Sequence, residues 1–332
     1  MKALVLYLCL FVGLLLIVPK EPVDFTAVYR GVEALVSGES PYSESVTERN
    51  QLEKYGRLAF DDEDQMRIAH PLTSLLLLAP IGWLDFEAAK AIFIALSATL
   101  LISGLHQLGA KLWWAILLCL LLREPLVAFF LGQIALLSSA MIVWGLVMLK
   151  KRCFRAAQLF MIVASVHPVL SVPIALLTLK KRTLYITIML ALLCASLLMD
   201  YTWPFQWLST ARAYPGYVNY MVWLPSITPA IAILGVLLLF FREYQYTLAG
   251  LTFILPLTGA YHMTLYTPVF LRPTFAIIPM IAALWALPVL SSDTRVVVTP
   301  LVFACFSIIA STKPALPTAL EIRTSVTPKS GA

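Results

Sequence analysis

The sequence predicts an all-α fold, a polytopic bundle of transmembrane helices. Three observations carry that prediction. The chain of 332 residues is 60% apolar and 13% charged, with mean hydropathy +0.86, whereas soluble domains carry about 25% charged residues. Apolar runs at 3–18, 87–105, 134–149 and 183–199 approach or reach the length that crosses a hydrocarbon core. Alternating segments of about ten residues, the mark of an outer-membrane barrel, are not found.

The first run, within MKALVLYLCLFVGLLLIVPKEP, has one basic residue ahead of it and no small-x-small cleavage site behind it. It reads as a retained first helix rather than a removed signal peptide. The five cysteines, Cys9, Cys119, Cys153, Cys194 and Cys305, are scattered and mostly apolar in context. They suit packing better than a disulfide framework or metal site.

Charge sets the topology. Residues 20–70 hold eleven of the eighteen acids against six bases. Basic clusters fall at 150–155 (KKRCFR) and 180–182 (KKR), and the positive-inside rule puts both in the cytoplasm. With Lys2 also inside, the first helix delivers residues 20–70 to the outer face. The bases sit where topology needs them, so nucleic acid is not implied as a partner.

Within 20–70, Phe25, Val28, Tyr29, Val32, Leu35 and Val36 fall on one helical face. Gly38 stops that helix and Ser40-Pro41 turns the chain. A second, polar helix is expected over 43–58, ahead of the acidic DDED at 61–64. This external loop is therefore structured, lying on the membrane surface or under a protein cap. The DDED reads as a solvated turn.

Apolar segments follow at 71–84, 87–105 and 112–122, the last interrupted by Arg123-Glu124-Pro125, and Gly132-Gln133 precedes 134–149. The stretch 156–179 has a basic cluster on each side. A single kinked crossing would put one cluster outside. Two half-length helices turning at His167-Pro168 keep both inside, and proline disfavours helix in the residue before it. The hairpin is the preferred reading. A crossing at 183–199 leads to an aromatic loop at 200–225, then segments at 226–241, 247–260, 270–290 and 296–311. The expectation is one membrane domain over 1–311, with roughly eleven or twelve membrane elements, some too short to span. The tail 312–332 is expected to be disordered.

Ionisable groups near membrane segments are functional candidates: Asp24, His70, Arg123, Glu124, His167, Arg212, His262 and Arg272, with Gln133 as a neutral companion. Most fall at outer helix ends. Each has a plainer reading. Asp24 suits an N-cap, Arg123 and Glu124 an ion pair at a helix break, and Gln133 an interhelical tie. No HExxH, Gly-rich phosphate loop or nucleophile motif is present.

Taken together, these positions resemble glycosyltransferase family 87, polytopic enzymes of the GT-C fold that use polyprenyl-phosphate sugars. The family pattern opens with a first helix, then Asp-Phe, Tyr, Gly and Pro-Tyr, matched by Asp24-Phe25, Tyr29, Gly31, Gly38 and Pro41-Tyr42. Its Tyr-Pro-Pro before a Leu-rich helix corresponds to His70-Pro71-Leu72, which departs at the first and third positions. Gly132-Gln133 matches its Gly-Gln pair. His167-Pro168 stands where the family carries Lys-(x)-Pro, and Tyr261-His262 fits its late aromatic-His element.

The resemblance covers most of residues 1–290 and implies transfer of a hexose, mannose foremost, to a lipid or glycan acceptor on the extracytoplasmic face of the cell membrane. It implies Asp24 as general base with inversion, and no cofactor or obligatory metal. Under it, His262, His167 and Arg123 would bind the donor phosphate, and Tyr29, Tyr42, His70, Gln133, Glu124 and Tyr261 the substrates. Besides the two substrates, membrane lipids are its implied partners. A lipid-linked-sugar flippase or a membrane scaffold protein are the rival readings.

Overall fold

A computed structural model describes residues 2–20, 23–60, 63, 65–179, 182–213, 228–241, 244–254, 260–272, 277–286, 302–306 and 308–309. The side chains of Arg212, Tyr261 and His262 lie outside the described ones, as do most of the DDED, residues 214–225 of the aromatic loop, and the tail. Among the described residues every regular element is helical.

Helix α1 (Lys2–Leu15) is followed by α2 (Val23–Val36) and α3 (Glu44–Tyr55), the two helices expected in the first polar segment. Ser43 caps α3, its hydroxyl accepting from the Val46 amide at 3.4 Å, which satisfies one of the orphan donors of a helix start. The apolar stripe of α2 is buried at Phe25, Val28, Tyr29, Val32 and Leu35, while Val36, its last residue, is 39% exposed. The stripe packs on protein: α2 meets α4 (Leu72–Leu78) and the 3-10 turn Ala79–Trp83 that continues it.

Helix α5 (Phe86–Leu108) is the one described helix long and apolar enough to cross a membrane. Up to three spans result if two bent pairs each count as one. The first pair is α6 (Leu112–Leu121) with α7 (Arg123–Leu131), bent by 75°, and the second α11 (Thr183–Met199) with α12 (Trp203–Ala213), bent by 96°. The other apolar helices are shorter, so by length the described spans are far fewer than the membrane elements expected from the sequence.

Helix α8 (Ile134–Lys150) packs closely on α5. Gly104 permits the approach: a Cβ there would stand 2.7 Å from Val143 Cγ1. Helices α9 (Phe154–Ala164) and α10 (Pro168–Thr178) break at Ser165–His167, and the Tyr185 amide bond to Gln158 brings the chain after α10 back beside the start of α9, as the hairpin reading of 156–179 expects. Each is 11 residues long, about 16 Å at 1.5 Å per residue, half of a hydrocarbon core. Farther on come α13 (Thr228–Leu239), α14 (Tyr244–Ile254) and α15 (Ile277–Ala286). Residues 260–270, expected as a connection, form a 3-10 helix containing Pro268. Trp114 ties it to α6, donating to the Phe270 carbonyl at 2.9 Å.

Side-chain ties fix the direction of each helix. Lys90 donates to the Lys20 carbonyl at 3.0 Å, and Gln107 to the Tyr7 hydroxyl at 3.2 Å, so α1 runs antiparallel to α5. Trp144 donates to the Leu100 carbonyl and Lys150 to the Leu108 carbonyl, at 2.9 and 3.0 Å, which makes α8 parallel to α5. Ser138 reaches the Ala164 carbonyl at 2.7 Å, so α9 returns antiparallel. The Tyr185 amide donates to Gln158 Oε1 at 3.1 Å, starting α11 beside the start of α9. One end of the bundle therefore gathers Lys20, Asp24, Phe86–Lys90, Gln133 and His167. The other gathers Tyr7, Leu108, Lys150–Arg155 and Thr183. We term them the acidic and the basic end.

Candidate functional site

Asp24 lies in the first turn of α2, which begins at Val23. It is therefore not the N-cap that the sequence suggested, though a carboxylate in a first turn still meets the positive end of the helix dipole. Gln133 Nε2 donates to Asp24 Oδ2. The contact depends on how α7 ends. Gly132 takes a left-handed φ of +66° and its amide returns to the Phe129 carbonyl, a conformation that costs residues with a Cβ. Gln133 then leaves the helix path before α8 begins. The Gly-Gln pair is thus a turn that aims an amide at a carboxylate.

A second group of polar residues sits at the same end. The rings of His70 and His167 meet edge to face, 6.4 Å between centroids. His70 comes from the strap leading into α4, and His167 from the tip of the α9–α10 hairpin. Tyr42 donates its hydroxyl to the His70 carbonyl at 2.8 Å, and Trp207 its indole to the Ala69 carbonyl at 2.9 Å. Burial, with the neighbouring His167 ring, holds the His70 imidazole well below its ordinary range, at about 3. Burial and the Asp200 carboxylate push the Tyr42 phenol up. His70 is therefore neutral near pH 7, with one N–H to donate and one nitrogen to accept.

Arg123 and Glu124 are placed differently. They open α7, whose nine residues extend about 13 Å before Gln133 is reached. Their ion pair is 3.7 Å long, Glu124 is 0% exposed, and neither of its carboxylate oxygens has a hydrogen-bond partner. Tyr29 is committed internally, buried and donating to the Leu84 carbonyl at 2.8 Å. The 3-10 helix carrying Tyr261 and His262 packs on α7 and α8. Arg272 is exposed.

One residue escaped the sequence reading. Lys90, five residues into the apolar α5 and only 5% exposed, bonds the Lys20 carbonyl and pairs with Glu87 at 2.5 Å. A lone lysine near the start of an apolar helix was the available signal. Among the described residues no group of three or more His, Cys, Asp or Glu could hold a metal ion. Glu63, the described member of the DDED, pairs with Arg57 at 2.8 Å. That guanidinium, with the Phe60 amide, holds its carboxyl down at about 2.

The acidic end can thus offer an oriented carboxylate at Asp24, and beside the His70–His167 ring contact a tyrosine at Tyr42. In comparison with known proteins, no family model matches the chain, and no curated protein or solved structure matches it.

Proposed function

We propose that the chain is an integral membrane glycosyltransferase of the GT-C kind, related to glycosyltransferase family 87 and built as a polytopic bundle. In this reading it moves a hexose, mannose foremost, from a polyprenyl-phosphate sugar to a lipid or glycan acceptor at the extracytoplasmic, acidic end. The observation that carries the reading is the Asp24 carboxylate, held by Gln133 at the bundle end opposite the basic clusters.

The chemistry needs one base and a cradle for a departing phosphate. Asp24 would take the proton from the acceptor hydroxyl as its oxygen attacks the anomeric carbon. The bond from that carbon to the phosphate oxygen breaks, its electrons leave with the lipid phosphate, and configuration inverts. His167 and His70 would donate hydrogen bonds to the developing anion, for which preorganised donors are most effective. His262 and Arg123 remain candidates for the same task. An apolar cavity of about 430 Å³ between α1, α5, α6 and α7, lined by Leu14, Leu101, Cys119 and Phe129 among others, offers room for part of a polyprenyl chain.

A transport reading is favoured by one observation, the Arg123–Glu124 pair, its carboxylate fully buried, at the 75° break between α6 and α7. Buried ionisable groups at broken helices also mark ion and substrate paths. The two readings separate on a single assay. Purified protein is offered radiolabelled polyprenyl-phosphate mannose and lipid acceptors, and wild type is compared with Asp24→Asn. Loss of roughly 10²–10⁴-fold in transfer is expected, the usual weight of a general base. Equal product from the variant would remove Asp24 from that role. Absence of transfer by the wild type across donors and acceptors would favour transport.

A further inference from the structure

The basic end holds a cavity that the transfer reaction does not use. It lies between the first turns of α9 and α11, has a volume of about 860 Å³, and is lined by Phe154, Arg155, Gln158, Thr183, Leu184 and Thr187. Gln158 is buried and braces the wall, accepting from the Tyr185 amide at 3.1 Å and donating to the Phe154 carbonyl at 3.4 Å. The amides of Thr183 and Leu184, at the start of α11, have no carbonyl of their own helix to bond. Arg155 is exposed and, among the described residues, pairs with no carboxylate. Its basic neighbours are engaged elsewhere: Lys150 with the Leu108 carbonyl and Arg182 with the Leu179 carbonyl.

What leads away from this cavity is apolar. On α9, Arg155 is followed at helical spacing by Leu159 and Val163, 51% and 37% exposed. On α11, Thr187 is followed by Leu190, Cys194 and Leu197, also exposed. Both exposed strips run from the basic end toward the acidic end, because α9 and α11 start side by side. A cationic, hydroxyl-bearing pocket at a helix end, opening onto parallel apolar strips, has the layout of a headgroup above two chains.

We propose that this cavity binds the phosphate of an anionic phospholipid of the cytoplasmic leaflet, with its acyl chains laid along the exposed faces of α9 and α11. Arg155 supplies the charge, and Thr183 and Thr187 supply hydroxyl donors. Basic pockets between helices on that side suit such headgroups, each Arg or Lys near an anionic surface contributing on the order of 1 kcal/mol. The proposal rests on the membrane placement and orientation above, and not on the transferase chemistry.

The test uses the full chain, purified in detergent and stripped of native lipid. Native mass spectrometry follows its adducts with phosphatidylglycerol, phosphatidylcholine and inorganic phosphate. Wild type is expected to retain phosphatidylglycerol over phosphatidylcholine. Arg155→Gln should weaken that retention about fivefold, with Arg155→Lys retaining most of it. Lys111→Gln, which removes an equal charge from the same end outside the cavity, should leave it unchanged. Equal retention of the two lipids would overturn the proposal, as would equal effects of Arg155→Gln and Lys111→Gln. Binding of inorganic phosphate without any lipid preference would likewise overturn it. Recovery of the protein in the soluble fraction without detergent would remove the membrane placement itself, a failure distinct from a failure of the pocket.

Discussion

The two ends of the bundle use charge in opposite ways. At the acidic end, charges answer one another: Arg30 bonds Glu33 and Glu53, both at 2.8 Å, Arg49 pairs with Glu39 at 2.5 Å, and Arg57 with Glu63. At the basic end, Lys150 and Arg182 are spent on main-chain carbonyls and Lys151 on the Gln107 amide oxygen. The first pattern builds a folded cap that can hold groups in register. The second leaves Lys150, Lys151 and Arg182 bonded to neutral oxygens, so that their positive charge is not cancelled there. The acidic end is thus tied by ion pairs between its own side chains, and the basic end by bonds from cations to carbonyl and amide oxygens.

Substitutions at the acidic end should break organisation, and the largest effect belongs to Asp24→Asn in the transfer assay described above. Gln133→Leu should follow. It removes the donor that orients Asp24, so kcat should fall by roughly tenfold or more while KM changes little, as expected for a group acting on proton transfer. An equal fall at Lys151→Gln, a basic-end control, would erase the contrast between the ends.

Phe25→Ala tests whether the cap is held by its buried stripe. Phe25 is 0% exposed and packs on Phe86 and Phe93, and truncating such a side chain costs about 3–5 kcal/mol. Thermal unfolding in detergent should show the loss, and an unchanged midpoint would mean that α2 contributes nothing to the cooperative unit.

A pH effect of smaller size should follow from His70. Its folded-state value, about 3, lies below the ordinary value of 6.5, so the unfolded chain binds the proton that the folded chain refuses. Stability then rises with pH across that interval. It is fully present above about pH 6.5 and is lost progressively as pH falls toward 3. His70 is partly exposed, which moderates the slope. Midpoints measured from pH 7 to pH 5 should fall less for His70→Asn than for wild type, and parallel curves would refute the assignment. The smallest effect is expected at Arg49–Glu39, a surface pair whose removal by Glu39→Gln should leave the unfolding midpoint nearly unchanged, with any difference vanishing in high salt.

Much of this architecture was legible beforehand. The stripe Phe25, Val28, Tyr29, Val32 and Leu35 predicted α2, because period and burial are both local properties of a helix. Two basic clusters flanking one apolar stretch predicted the α9–α10 hairpin, because a cation is costly on the wrong side of a bilayer. Other features were legible only as candidates. Asp24 could be named, but its partner Gln133 lies 109 residues away and nothing in either segment encodes the other. His70 and His167 were separate entries in the chain until folding brought their rings together. Arg123 and Glu124 were legible as an ion pair at a helix break, and they form one at the start of α7, at the far end of that helix from Gln133. The burial of Lys90 depends on where α1 ends, which its own segment does not encode.

By itself, then, the sequence determined the helical class, the short broken helices and the segregation of charge. Hydropathy, proline and net charge act over a few residues and need no knowledge of neighbours. Which helix runs beside which, and which polar groups therefore meet at the acidic end, was decided by packing. Gly104 lets α5 and α8 approach, Gly132 turns Gln133 toward Asp24, and the hairpin lifts His167 to His70. These are contacts between residues far apart in the chain, and their energies exist only once the bundle has formed.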